Sequence, residues 1–187
     1  MSDLSRVDTL LEMDARLSRE LRLEPGKSPI WRYAAFFAHS GDSWFWMIGL
    51  GLVWLLADAD WRNRAASLAV GVVIMAAVVM ALKFTIRRRR PAGEWGQVYR
   101  AVDPHSFPSG HAARAALLAA LALGLGPAWF GALLVIWAPL VCLARILTGM
   151  HYLSDVLAGI LLGLLTAWLV LEMQNVWQAL LPFLFTT

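Results

Sequence analysis

Residues 115–144 are thirty consecutive positions without one charged side chain. That run is too long for a single simple span of ~20 residues and too apolar for a solvated surface. Gly124, Gly126 and Pro127 stand in its middle, where a helix stops, so the run reads as a tight hairpin of helices over 109–125 and 128–147. Residues 65–82 are also uncharged, and extension to Ile86 gives ~33 Å of helix at ~1.5 Å per residue. A third run, 156–171, is bounded by Asp155 and Glu172, and a shorter one, 43–57, is closed by the polar stretch 58–64. Ile30–Ala38 is a further short apolar piece, and the apolar tail after Glu172 is expected near the membrane interface. The fold class is therefore all-α: a polytopic membrane helix bundle with five to six transmembrane helices. Composition agrees, since 59% hydrophobic against 16% charged residues excludes a disordered chain and argues against an ordinary soluble enzyme. Cys142 is the only cysteine, which excludes an internal disulfide framework and a CxxC site.

The first 24 residues differ. Leu4, Val7, Leu10, Leu11, Leu17 and Leu21 recur at helical spacings among Asp, Glu and Arg, and Glu24-Pro25-Gly26 ends the pattern. This predicts an amphipathic helix, lying flat on the membrane surface or packed on the protein's own polar face. The expected division is an amphipathic segment, 1–26, and a membrane-embedded domain, 27–187. A net charge of +3 gives no argument for nucleic acid.

Folding the helices back and forth collects chemistry at one end. The end of the 65–86 helix, the loop 87–108, the start of 109–125, the end of 128–147 and the start of 154–172 share one side. That side gathers Lys83, the Arg87–Arg90 run, Ser109, His111, Arg145, His151 and Asp155. Ionisable groups at membrane helix ends mark function, and converging cations with imidazoles make an anion site. Were the helix to run on to Pro91, Lys83, Arg87 and Arg90 would form one stripe. Ser109 stands where a helix begins, and exposed N–H groups there favour an anion. His151 and Asp155 are four apart, so Asp155 can hold one ring nitrogen and leave the other to react. Two histidines among phosphate-directed cations point to phosphoryl transfer. The near-side acids Asp42, Glu94, Asp103 and Asp155 are too scattered for a metal cage, so no metal or other cofactor is expected.

These residues resemble the type-2 phosphatidic acid phosphatases. The three-part signature reads here as KFTIRRRRP (Lys83 to Pro91), PSGH (Pro108 to His111) and ARILTGMHYLSD (Ala144 to Asp155). The third part carries Ala144 where the family usually has Ser, which bears on one hydrogen bond to phosphate or Arg145 rather than on the reaction class. The resemblance covers about residues 40–172 and implies a metal-independent phosphatase. In it His151 attacks phosphorus and Asp155 orients His151. His111 protonates the leaving oxygen and then helps water cleave the phosphohistidine. Lys83, Arg90, Ser109, Gly110 and Arg145 bind the phosphate oxygens.

A site at helix ends meets a head group while the tail stays in lipid, so the expected substrate is a lipid phosphate or diphosphate. Phosphatidylglycerol phosphate, phosphatidic acid and undecaprenyl diphosphate all qualify, in a bacterial cytoplasmic membrane. The alternative is a non-catalytic anionic-lipid binder or lipid transporter using the same cations, which would need neither the His151/Asp155 pair nor a second histidine. Arg87–Arg89 read as a juxtamembrane anchor on anionic lipid, and Arg114 as snorkelling to the interface. His39 and His105 read as loop or interface residues, and the ten tryptophans as an interfacial belt. The positive-inside count places the site in the cytoplasm, whereas many bacterial members of the resembled family face the periplasm. The two indications oppose each other.

Overall fold

The structure, a computed structural model, describes residues 3–93 and 101–185; Glu94 and Arg100 lie outside them. Eight helices are present among the described residues: α1 (Asp3–Glu20), α2 (Pro29–Ser40), α3 (Ser43–Leu56), α4 (Ala59–Ile86), α5 (Gly110–Leu125), α6 (Ala128–Leu147), α7 (Leu153–Glu172) and α8 (Gln174–Leu180). Their ends follow local chemistry. Ser28, Asp58 and Ser109 each accept a backbone N–H at the start of α2, α4 and α5, and Pro127 precedes α6 at the hairpin. Helices α4, α6 and α7, of 28, 20 and 20 residues, are long and apolar enough to cross a membrane, while the apolar α3 and α5 are shorter.

The centre of the bundle is the α5/α7 pair. Gly159 and Gly163 face Ala112, Ala113 and Ala116, and a Cβ on Gly159 would stand 2.5 Å from the Ser109 carbonyl oxygen. Small residues four apart let two membrane helices approach to backbone contact, where packing rather than the hydrophobic effect holds them. This contact sets the register of the site, because the Ser109 N–H donates to the Asp155 carbonyl at 2.9 Å, tying the start of α5 to the start of α7. Gly163→Val is expected to destabilise the protein by about 1–3 kcal/mol through overpacking. Thermal unfolding in detergent checks it; an unchanged midpoint would mean that α5 and α7 can separate freely.

Helices α2 and α3 differ from their expected roles as separate pieces. The Leu23 N–H donates to the Leu147 carbonyl, and ten residues deeper along α6 the Trp137 indole donates to Ser40 Oγ, so α2 descends along α6. Helix α3 continues in that direction until Trp54 accepts from Arg62 near the start of α4. The turn Gly41–Asp42 thus interrupts one path at the depth of the site. Helix α1 docks its polar face. Asp14 accepts from the Ser154 N–H at 3.0 Å and Ser18 Oγ from the Leu153 N–H at 2.9 Å, capping α7 from outside, while Val7, Leu10 and Leu11 stay exposed.

Candidate active site

Helix ends at that side enclose a cavity of about 200 Å³ lined by Lys83, Arg90, Asp103, Gly110, His111, Arg114, Arg145 and His151, together with Ser43 and the apolar Met75, Ala76, Val79 and Met80. Six of the eight residues expected at the site line it. Ser109 and Asp155 stand one step behind, both fully buried. Ser109 is the N-cap of α5, and Asp155 backs His151.

The cations reach the cavity by different routes than a single stripe. Helix α4 ends at Ile86 and Arg87 takes the left-handed conformation (φ 53°), which is uncommon for a residue with a Cβ. The chain then leaves the helix axis, so Arg87 stays exposed, its Nε donating to the Phe84 carbonyl, and the expected Lys83–Arg87–Arg90 alignment does not form. Arg90 instead returns through the loop beside the Arg89–His105 bridge. Its Nε and Nη2 donate to the carbonyl and carboxylate of Asp103 at 2.8 Å each, and its Nη1 to the Met150 carbonyl at 3.0 Å. Lys83 Nζ donates to the same carboxylate and to the His105 carbonyl. Asp103 therefore supplies the negative charge that two buried cations require.

The two histidines are held differently. Arg90 Nη1 lies 3.1 Å from His151 Nε2. A guanidinium only donates, so the Nε2 lone pair is turned to Arg90 at the cavity wall and the proton of the neutral ring sits on Nδ1. Nδ1 is 3.6 Å from Asp155 Oδ2. Burial, and then the charges of Arg145, Arg90 and Lys83, push the His151 ring well below its ordinary value near 6.5, keeping it neutral. Because a depressed value extends the neutral form to lower pH, the acid limb of kcat/KM is expected below pH 6.5, after correction for titration of the substrate phosphate. A limb above 6.5 would contradict a neutral His151 in this environment. His111 Nε2 instead donates to Asp42 Oδ1 at 2.6 Å.

Four residues with contacts here escaped the sequence reading. Arg88 is no surface anchor: it donates to Asp155 Oδ1 at 2.6 Å, Asp14 Oδ2 at 2.7 Å and Ser154 Oγ at 2.7 Å, with its guanidinium 4.1 Å from the Tyr152 ring centre. Arg114 does not snorkel but is buried and donates to the Gly41 carbonyl. Asp42 and Asp103, scattered acids in the sequence, pair here with His111 and with Lys83 and Arg90. Arg145, 1% exposed, has the Ala38 carbonyl of α2 as an acceptor at 3.3 Å, and Ala144 packs against Ala34 and Ala38 where the family's Ser would stand. Arg64, at the opposite end, donates to the Leu125 carbonyl, well away from this cavity.

A membrane-embedded helical bundle with a cation-lined cavity and two differently held histidines is equipment for phosphoryl chemistry. The PAP2 superfamily pattern matches residues 64–179, and the chain belongs to that superfamily. It is similar to decaprenylphosphoryl-5-phosphoribose phosphatase of Mycobacterium tuberculosis, 33% identical over 132 residues that cover 67% of this chain and 70% of the relative. It is also similar to undecaprenyl-diphosphatase of Sulfolobus acidocaldarius, 28% identical over 144 residues, 75% of this chain and 68% of that one. A PAP2-type phosphatidylglycerolphosphate phosphatase from Bacillus subtilis superposes with a TM-score of 0.70 at 23% identity, covering 89% of this chain and 87% of that one. Aquifex aeolicus LpxE superposes at 0.67 with 24% identity, covering 84% and 93%. The likeness to these two structures is one of fold. Like its relatives, the chain is an integral membrane protein of the phosphatase type.

Proposed function

We propose that this protein hydrolyses a lipid phosphate or diphosphate through a phosphohistidine. The observation that carries the reading is His151 Nε2, an unprotonated imidazole nitrogen held by Arg90 at the wall of a cavity that Lys83 and Arg145 also line. In the first step Nε2 bonds to phosphorus while the phosphorus–oxygen bond to the lipid breaks, and the departing oxygen takes a proton from His111. In the second, His111 takes a proton from water as that water attacks phosphorus and the phosphorus–nitrogen bond breaks. Lys83, Arg90, Arg145 and the Gly110 N–H bind the non-bridging oxygens, Ser109 caps α5 behind them in place of the direct phosphate contact expected of it, and Asp155 orients His151. Charge growing in the transition state meets fixed cations, so no divalent metal is needed.

The substrate is an amphiphile, because the cavity opens at the ends of membrane helices. Phosphatidic acid, phosphatidylglycerol phosphate and undecaprenyl diphosphate fit this description, as does a location in a bacterial cytoplasmic membrane. In this reading α2 and α3 form one interrupted crossing, followed by α4, α5, α6 and α7. Residues 27–187 make the catalytic domain, and α1 turns its exposed leucines to the membrane surface. Phosphate release by detergent-solubilised protein from a panel of these lipids, with EDTA present, tests the assignment. Vanadate, which adopts the five-coordinate geometry of the transition state, is expected to inhibit. Activity abolished by EDTA and restored by Mg²⁺ would defeat the metal-free mechanism, and no release from any lipid would defeat the function.

A further inference from the structure

We propose that Asp42 is a positioning residue for His111, orienting its ring and stabilising the proton that the ring delivers to the leaving oxygen. The inference rests on the phosphatase reading and adds to it a residue outside the three signature segments. Asp42 occupies the N-cap position of α3, where an aspartate ordinarily accepts a backbone N–H of the first turn. Its side chain makes no such bond. It is turned instead to His111 Nε2, 2.6 Å away, and is 7% exposed. The preceding Gly41 makes the approach possible: a Cβ there would lie 3.1 Å from His111 Cδ2 and 3.0 Å from Val141. The interruption between α2 and α3 thus delivers a carboxylate to the depth of the cavity.

The charge pattern gives that carboxylate a task. His111 is faced by Arg145 from α6 and Arg114 from its own helix, and shares the cavity with His151, Lys83, Arg90 and Asp103, whose charge is taken up by Lys83 and Arg90. An acid in the company of so many cations needs an anion in contact with its ring. Asp42 sets a negative charge against His111, and its other oxygen lies 3.5 Å from Nδ1 of the half-exposed His39. Asp155 does less of this for His151, being 3.6 Å from its ring and paired closely with Arg88. Two carboxylate–histidine pairs thus share one cavity, one carboxylate in contact with its ring and the other set back from its ring and paired with Arg88.

The test uses Asp42→Asn in the full-length protein, with phosphatidic acid and p-nitrophenyl phosphate as substrates. Protonation matters for an alkyl leaving group and little for nitrophenolate. On phosphatidic acid kcat is expected to fall about 100-fold or more, and on p-nitrophenyl phosphate less than about 10-fold. The alkaline limb of kcat on the lipid is expected to move down by about one pH unit, because loss of the negative charge disfavours the protonated ring. Asp42→Glu keeps the charge and is expected to hold that limb near the wild-type position. In a His111→Ala background Asp42→Asn is expected to add no further loss. Equal losses on both esters, no loss on either, or an unmoved alkaline limb overturns the proposal, and so does a variant inert on both. A wild-type protein that releases phosphate from neither ester defeats the phosphatase reading itself, which separates the two failures.

Discussion

His151→Ala is expected to abolish both turnover and covalent labelling. Removal of a nucleophile from a working triad costs on the order of 10⁶ in kcat, and His151 is the ring whose unprotonated nitrogen Arg90 holds at the cavity wall. Rapid quench with labelled substrate reads the result as an acid-labile, base-stable phosphoryl group present in the wild type and missing in the variant. His111→Ala is expected to behave differently. With p-nitrophenyl phosphate, label on His151 still forms and its discharge lags, because water activation now lacks its base. Label on the His151→Ala protein would overturn the assignment of the nucleophile. Parallel losses of labelling and turnover at every substrate in both variants would overturn the division between the two rings.

Arg145→Lys is expected to lower kcat by about 10²–10³-fold with a much smaller rise in KM, the mark of an interaction made mainly in the transition state. Arg145 is almost wholly buried, with the Ala38 carbonyl as one of its acceptors, so its planar fork is held before substrate arrives. Lysine brings the charge without the two-pronged geometry and must find a new position in a packed wall. An unchanged kcat with reduced thermal stability would assign Arg145 to joining α2 and α6 instead.

Several features were legible without coordinates. The hairpin break at Gly126–Pro127 and the N-cap at Ser109 are encoded by residues next to one another. So is the Asp155–His151 spacing, although the side chains meet only loosely, at 3.6 Å. The stripe through Arg87 was illegible because it assumed a helix continuing to Pro91. The left-handed Arg87 turns the chain away from the helix axis, and Arg88 reaches Asp155. Arg114 misled in the same way: one turn beyond His111 it looks like a helix-end cation, yet the α2–α3 turn packs over it and supplies the Gly41 carbonyl.

By itself, the sequence determined that the chain is a membrane-embedded helical bundle and that Lys83, Arg90, His111, Arg145 and His151 gather at one end. Apolar runs define helices, and antiparallel alternation sends every second helix terminus to the same side. Only the tertiary structure decided which acid answers which cation or ring: Asp103 for Lys83 and Arg90, Asp14 for Arg88, and Asp42 for His111. Those partners stand 13 to 74 residues apart in the chain. Their pairing depends on helix depth, on the break at Gly41–Asp42 and on the close approach through Gly159 and Gly163, and no local periodicity records these. Burying a cation forces it to find a counter-charge, but which carboxylate answers is settled by packing.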